Sequence, residues 1–144
     1  LTDGAAAVIV CSEGYANKNS LEILAFIRGM AISGCSPELM GIGPVLSSQK
    51  ALKRAGITLE DVDIIEMNEA FAAQSLACVR ELGVEMSKLN IHGGAISMGH
   101  PLGASGARIT GKAASLLKET GKRYALSTMC VGGGQGCATV LERA

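Results

Sequence analysis

Three side chains in this sequence of 144 residues have types and positions suited to catalysis: Asn68, His100 and Cys130. Each follows an apolar or glycine-rich extended segment and stands at a turn or at the start of a helix. A histidine can act as a general base, a cysteine as a nucleophile or proton carrier, and an asparagine amide as a donor to a developing oxyanion. Because α/β proteins hold active residues in loops at strand ends, we predict that the three converge on one cavity.

His100 is followed by Pro101, which stands where a helix can begin. The positive end of the helix dipole disfavours an imidazolium, so the ring is expected to be neutral and able to accept a proton. The alternative is a histidine that only caps the helix and bonds to the backbone. The residue type and spacing leave both interpretations open.

Cys130 ends a predicted strand and precedes Val131 and three glycines. We expect its thiol to be partly exposed and close to backbone N–H dipoles that favour the thiolate. The alternative is a small apolar core residue, which is the more common use of cysteine and our interpretation of the other four. Those are Cys11, Cys35, Cys78 and Cys137.

Asn68 can be interpreted in two ways from the sequence. Asparagine is common at helix N-caps, and a helix is predicted to follow it. Its amide could instead hold a water or donate toward an oxyanion. Other kinds of site are excluded, because the glycines near Lys112 fall inside a predicted helix and no His or Cys pair has the short spacing of a zinc site. No metal is therefore expected.

The elements that must position these residues alternate between strands and helices. Residues 12–20 are predicted as a polar turn, Ser47 or Ser48 as the N-cap of the first helix, and Asn68 as the N-cap of the second. Alternation of this kind indicates an α/β fold: a layered domain with a mixed sheet whose last two strands are antiparallel. Strands are predicted at 5–11, 25–32, 63–67, 123–130 and 137–142, and helices at 47–55, 69–82 and from Pro101 to about residue 120.

The amino-acid composition argues against several classes of partner. Hydrophobic residues make up 48% of the chain and the net charge is zero, which fits a globular protein and argues against nucleic acid as a partner. No apolar run is long enough to cross a bilayer, so no membrane partner is expected. The five cysteines are odd in number and scattered, which favours a reducing compartment such as the cytoplasm.

Three segments of the sequence carry a combined signal: Asn68-Glu-Ala-Phe-Ala-Ala-Gln74, residues 93–108 around Gly-His-Pro-Leu-Gly, and Cys130-Val-Gly-Gly-Gly-Gln-Gly136. Together they resemble the signatures of the thiolase family, in the family's order and spacing. The resemblance covers essentially the whole chain, and it implies a fold of two similar halves, each with a mixed five-stranded sheet flanked by helices. On that basis residues 1–20 are the last strand and tail of the N-terminal half, and 21–144 are the C-terminal domain of a longer protein.

The resemblance implies a reversible Claisen condensation in which two acetyl-CoA give acetoacetyl-CoA and CoA. Ala104-Ser105 favours this acetyl-CoA C-acetyltransferase branch, and the alternative is a 3-ketoacyl-CoA thiolase of fatty-acid β-oxidation. No cofactor takes part, since CoA is the carrier of the substrate. The implied partners are the CoA thioesters, the N-terminal thiolase half, and further copies in a homodimer or homotetramer.

Site roles follow from the same resemblance. His100 is expected to activate the nucleophilic cysteine and, with a water held by Asn68, to stabilise the thioester enolate. Cys130 is expected to remove or return the α-proton, and the N–H of Gly132 to contribute to a second oxyanion hole. Met40 and Phe71 are expected to line the pantetheine and acyl region, with ordinary apolar packing as the alternative.

The family's nucleophilic cysteine belongs to the N-terminal half, and none of the five cysteines here stands in its motif. The 144-residue chain alone is therefore expected to be inactive. Two other interpretations remain open, a fragment with only a structural or interaction role, and a related condensing enzyme such as a ketoacyl synthase. The synthase class presents a second histidine where this sequence has Cys130.

Overall fold

The computed structural model describes residues 2–144, and four strands form one sheet within them. The strands are β1 (Ala25–Gly34), β2 (Ile64–Met67), β3 (Tyr124–Val131) and β4 (Gln135–Arg143). The helices are α1 (Glu13–Lys18), α2 (Gly43–Ala55), α3 (Ala72–Leu82), α4 (Ala95–Met98) and α5 (Leu102–Thr120), with 3-10 helices at Pro37–Ile42 and Met86–Lys88.

The sheet order is β1-β4-β3-β2. β2 pairs with β3 in parallel, while β4 pairs antiparallel with both β3 and β1. The predicted α/β class, the mixed sheet and the final antiparallel pair are confirmed. The expectation of five strands is wrong for residues 2–144, in which the sheet has four.

Alternate residues of the strands face two different helix layers. Leu126 packs with α2 and α3 residues on one face, and Ala125 packs against α5 on the other. Both side chains are completely buried, and so is Leu117 of α5. Burying a leucine side chain stabilises a fold by roughly 1.5–3 kcal/mol, so the two apolar layers hold the sheet between helices and fix where its ends lie.

The burial predicted for a strand at residues 5–11 is not found within residues 2–144, and its place as the last strand of the N-terminal half stays a prediction. This segment pairs with none of the described strands, and Ile9 and Val10 are 82% and 72% exposed. The apolar run alone cannot form a strand, because a strand needs a neighbour to take up its backbone hydrogen bonds. Residues 12–20, predicted as a turn, contain α1, whose N-cap Ser12 accepts the Tyr15 N–H at 3.2 Å.

Two predicted helix starts are also wrong. α2 begins at Gly43, so Ser47 and Ser48 lie buried within it, where Ser48 Oγ is 3.2 Å from Thr128 Oγ1 of β3. α3 begins at Ala72 rather than at residue 69, and its N-cap position is Phe71. Asn68 therefore does not cap this helix, and its side chain is free for another role.

The backbone at the start of β4 lies very close to the backbone at the start of α2. A Cβ placed on Gly136 would overlap the carbonyl oxygen of Gly43, whereas a Cβ on Gly132 would meet nothing within 4 Å. The glycine at 136 is therefore required by packing against backbone, which cannot move aside as a flexible side chain can.

We expect Gly136→Ala to lower the free energy of unfolding by about 1–3 kcal/mol, because the added methyl group forces α2 away from β4. Gly132→Ala, in the turn directly before β4, should change it by less than about 0.5 kcal/mol. Chemical denaturation of both variants measures the difference. Equal stability of the two variants would show that the approach of Gly136 to Gly43 is not a constraint.

Candidate active site

Asn68 and His100 are in direct contact at the carboxyl end of β2. Asn68 follows the last residue of β2, is 1% exposed, and donates its N–H to Thr128 O of β3 at 2.9 Å. Its side-chain Nδ2 lies 3.2 Å from His100 Nε2. His100 stands two residues before α5, so the end of a strand and the start of a helix meet here.

The second ring nitrogen of His100 contacts Ser105. His100 Nδ1 is 2.6 Å from Ser105 Oγ, and that hydroxyl is also 3.1 Å from the carbonyl oxygen of Pro101, one helical turn earlier. A hydroxyl has one proton, and the Pro101 carbonyl can only accept. Ser105 therefore donates to Pro101 and accepts from His100 Nδ1–H, which leaves the lone pair of the neutral ring on Nε2, facing the Asn68 amide.

The surroundings of His100 favour this neutral ring. Burial lowers the pKa of His100, and the positive charge of Arg108 lowers it further. Arg108 lies on α5 two turns from the histidine, and the start of the helix adds its dipole in the same direction. The sequence predicted a neutral imidazole from the helix dipole alone, whereas burial is the larger cause of the lowered pKa.

Asn68 keeps one unused polar atom. Its Oδ1 is buried and has no hydrogen-bond partner among residues 2–144. A buried carbonyl oxygen in that state is costly unless a donor reaches it. The atom is therefore suited to accept a hydrogen bond from a water or from a molecule in the cavity beside His100.

Cys130 lies at the same end of the sheet but on the other face. It follows Thr128, which is paired with Met67 across β2 and β3. Thr128 and Leu126 face α2, so alternation along β3 places Cys130 on that side, whereas Asn68 faces α5. Among the described residues, no side-chain hydrogen bond joins Cys130 to Asn68 or His100. The structure therefore brings Asn68 and His100 together, while the convergence of Cys130 on the same cavity stays a prediction.

The expected environment of Cys130 is wrong. The residue is 6% exposed rather than partly exposed. Burial raises the pKa of its thiol and outweighs a hydrogen bond from the backbone that lowers it. The resting group is therefore a protonated thiol and not the thiolate that the glycine-rich turn suggested.

The other predicted site residues are less closely grouped. A cavity of about 290 Å³ is lined by Ala70, Phe71, His100 and Leu102, so Phe71 shares a cavity with His100 and is 61% exposed there. Gly132 lies exposed in the turn between β3 and β4. Met40 lies half-buried in the 3-10 helix Pro37–Ile42 and does not line this cavity.

Ser105 was not predicted as a site residue. Its position one turn into the helix that Pro101 begins could have indicated that its hydroxyl points back to the loop before the helix. A buried ion pair between Glu66 Oε1 and Lys112 Nζ, which are 3.0 Å apart behind the site, was not predicted either. A glutamate in an apolar strand was the available signal, because such a residue needs a partner.

Two kinds of feature are absent from residues 2–144. No group of three or more His, Cys, Asp or Glu side chains is arranged to hold a metal ion. None of the helices combines the length and apolarity required to span a membrane.

Comparison with known proteins agrees with the motifs and the geometry. The sequence profile described as "Thiolase, C-terminal domain" matches residues 21–143, which is most of the chain. The chain belongs to the thiolase family. The match also confirms that the residues correspond to the C-terminal part of a thiolase.

Individual thiolases are similar over nearly the whole chain. The 3-ketoacyl-CoA thiolase of Vibrio parahaemolyticus serotype O3:K6 is 56% identical over 99% of this chain, which spans 37% of the length of that relative. The human mitochondrial 3-ketoacyl-CoA thiolase is 48% identical with a TM-score of 0.90, covering 92% of this chain and 34% of the human one. It has also been solved in complex with CoA.

An enzyme of a different name has the same fold. The acetyl-CoA acetyltransferase of Bacillus anthracis is 42% identical with a TM-score of 0.89, and the match again covers 92% of this chain and 34% of that one. This thiolase chain thus spans little more than a third of the proteins it resembles.

We expect Ser105→Ala to remove the partner that holds the proton on His100 Nδ1. The neutral ring should then populate both tautomers, visible as a shift of its ¹⁵N resonances in histidine-labelled protein, and turnover of the complete enzyme should fall about tenfold or more. Ser115→Ala, exposed on the same helix, is the matched control. Unchanged His100 resonances in Ser105→Ala would refute the assigned tautomer.

Proposed function

We propose that the protein containing this chain is a 3-ketoacyl-CoA thiolase, which cleaves a 3-ketoacyl-CoA with CoA to give acetyl-CoA and a shortened acyl-CoA. The observation that carries the proposal is the neutral His100, held between Asn68 and Ser105 beside an open cavity. The Vibrio relative, 56% identical, supports the 3-keto substrate class. Acetoacetyl-CoA, which Ala104-Ser105 favoured, is not confirmed as the preferred substrate.

The first step requires a nucleophile. None of the five cysteines stands in the family's nucleophile motif, so we propose that this cysteine comes from the N-terminal thiolase half, with the boundary between the halves near residue 20. His100 Nε2 carries the lone pair of the neutral ring, and this lone pair passes from the Asn68 amide to the proton of that thiol when the thiol is in place. The sulfur then attacks the 3-keto carbon, and the bond between C2 and C3 of the substrate breaks.

The electron pair of that bond goes to the leaving acetyl-CoA enolate. Asn68, through a water on its buried Oδ1, and the protonated His100 stabilise the enolate oxygen. Cys130 then gives its proton to C2, which completes acetyl-CoA and leaves the shortened acyl group on the nucleophilic cysteine as a thioester. The thiol of CoA attacks this thioester and gives its proton to the Cys130 thiolate, and the released cysteine takes back its proton from His100. The raised pKa of the Cys130 thiol suits this role, because a buried thiol keeps its proton until an acceptor more basic than itself arrives.

The remaining site residues have proposed binding roles. Phe71 lines the cavity beside His100 and is placed to contact the acyl or pantetheine chain. The N–H of Gly132 is two residues beyond Cys130 and is proposed for the second oxyanion hole. Met40 is proposed to line the pantetheine region from the 3-10 helix that follows β1.

The proposed partners are CoA and its thioesters, the N-terminal half, and further copies in a dimer or tetramer, in the cytoplasm. The structure of the human relative with CoA supports the first of these. CoA is substrate here, and no metal or organic cofactor is proposed.

Acetyl-CoA C-acetyltransferase activity is the second candidate, favoured by the similarity to the Bacillus anthracis enzyme. Thiolysis of 3-ketoacyl-CoA from four to sixteen carbons by the complete enzyme separates the two. Turnover restricted to acetoacetyl-CoA supports the second candidate, and turnover of longer chains supports the first. Activity only with acyl carrier protein would indicate a ketoacyl synthase, and no turnover at all a structural or interaction role.

In the complete enzyme, we expect Cys130→Ala to lower exchange of the acetyl-CoA α-protons by about 100-fold or more, while acylation of the nucleophilic cysteine persists. The reason is that Cys130 handles only the carbon proton. Rapid-quench mass spectrometry measures acylation and NMR measures exchange. His100→Ala should impair both, and an equal loss of acylation in Cys130→Ala would contradict the division of roles.

The pH profile should report the lowered pKa of His100. Because the base must be neutral, the acid limb of kcat/KM for thiolysis should have its midpoint below pH 6.5, the ordinary pKa of histidine. Arg108→Met removes a positive charge, so the acid limb should move to higher pH while remaining below 6.5, since burial is the larger cause. An unmoved limb would exclude Arg108 as a cause.

A further inference from the structure

The segment that leads to His100, residues 90–96, is hydrogen-bonded to the outer edge of β2. Asn90, at a φ of 43°, donates its N–H to Ile65 O at 2.8 Å. Its side chain also bonds both backbone groups of Met67: Oδ1 accepts from the N–H at 3.0 Å, and Nδ2 donates to the carbonyl at 2.9 Å. Asn90 thus takes the place of a neighbouring strand at the residue directly before Asn68.

Glu69, directly after Asn68, holds the same segment further along. Its Oε1 accepts from Asn90 Nδ2 at 2.8 Å, and its Oε2 accepts from the Ile96 N–H at 2.8 Å. A Cβ placed on Gly94 would overlap the carboxylate, so the absence of a side chain there permits the contact. Hydrogen bonds to a carboxylate are among the stronger ones in proteins.

α5 holds the segment from the other side. Lys112 Nζ donates to Gly93 O at 2.7 Å and is paired with Glu66 of β2. Residues 93–96 therefore lie between a carboxylate that follows Asn68 and an ammonium on the helix that follows His100. Ile96 is only four residues before His100, so this attachment sets where the imidazole begins its approach to Asn68.

We propose that Glu69 is a positioning residue, whose carboxylate fixes segment 90–96 to the end of β2 and so keeps His100 Nε2 within hydrogen-bonding distance of Asn68. The consequence for catalysis rests on the proposed function. Glu69 contacts no residue of the cavity directly through these bonds, and it acts through Asn90 and Ile96.

Glu69→Gln in the complete enzyme tests this proposal with almost no change of shape. The Met67 backbone fixes the Asn90 amide, so Asn90 can present only an N–H to residue 69. Ile96 also presents an N–H. Glutamine has one accepting oxygen where glutamate has two, so one of these two donors must meet an NH₂ group and lose its bond.

Three measurements on Glu69→Gln test the positioning role of Glu69. Hydrogen exchange at the Ile96 amide should become about tenfold faster. The ¹⁵N resonances of His100 should shift. kcat should fall by up to about 100-fold, as a displacement of about 1 Å can cause, with KM within about twofold because binding groups are untouched. Glu85→Gln, an exposed glutamate whose carboxylate is 3.7 Å from Lys88, should change none of these.

Normal Ile96 exchange, or faster exchange with unchanged His100 resonances and kcat, would overturn the proposal. If the parent enzyme has no thiolysis activity, the proposed function fails, while exchange and resonances still decide the role of Glu69. Should Glu69→Gln not fold, Gly94→Ala, which displaces the carboxylate, must give the same three changes. Gly14→Ala, where a Cβ meets nothing within 4 Å, is its control.

Discussion

The parallel pairing of β2 with β3 sets Met67 beside Thr128, and the Asn68 N–H continues the ladder by bonding to Thr128 O. The carboxyl ends of parallel strands lie at the same edge of a sheet, and here the chain leaves β2 at Asn68 while β3 continues through Cys130 to Val131. Every other feature of the site depends on this register. A slip by one residue would turn Asn68 away from α5 and His100, since successive side chains point to opposite faces.

The sequence predicted the parts of the fold whose signal is local. Strands at 25–32, 63–67, 123–130 and 137–142 agree with the four of the structure, because each is an apolar run bounded by turn residues. Residues 5–11 have the same pattern and form no paired strand, because pairing depends on a distant neighbour that composition cannot reveal. The role of the Asn68 amide was ambiguous for a similar reason. Whether it caps a helix or is free for the site depends on whether the helix begins directly after Asn68, and the residue type does not decide this.

The candidate residues were predictable and their environments were not. Residue type and position were enough to single out His100 and Cys130, but the direction of each pKa depends on what surrounds the group. For Cys130, glycine N–H dipoles argued for a thiolate, and burial on the α2 side of β3 outweighs them. For His100, the role of Ser105 required knowing that Pro101 O and His100 Nδ1 both lie within reach of one hydroxyl.

The ion pair of Glu66 with Lys112 shows how the site is supported from behind. Burial raises the pKa of Glu66 more than the nearby Lys112 lowers it. The ion pair therefore contributes little to the stability of the fold. Glu66 Oε1 also lacks a partner of hydrogen-bonding geometry among the described residues, although Lys112 Nζ is 3.0 Å away. The lysine instead directs its bond to Gly93 O. A well-packed apolar pair could hold α5 against β2 equally well. An apolar side chain could not, however, donate a hydrogen bond to the backbone that leads to His100. That hydrogen bond is the physical reason for a charged pair at this position.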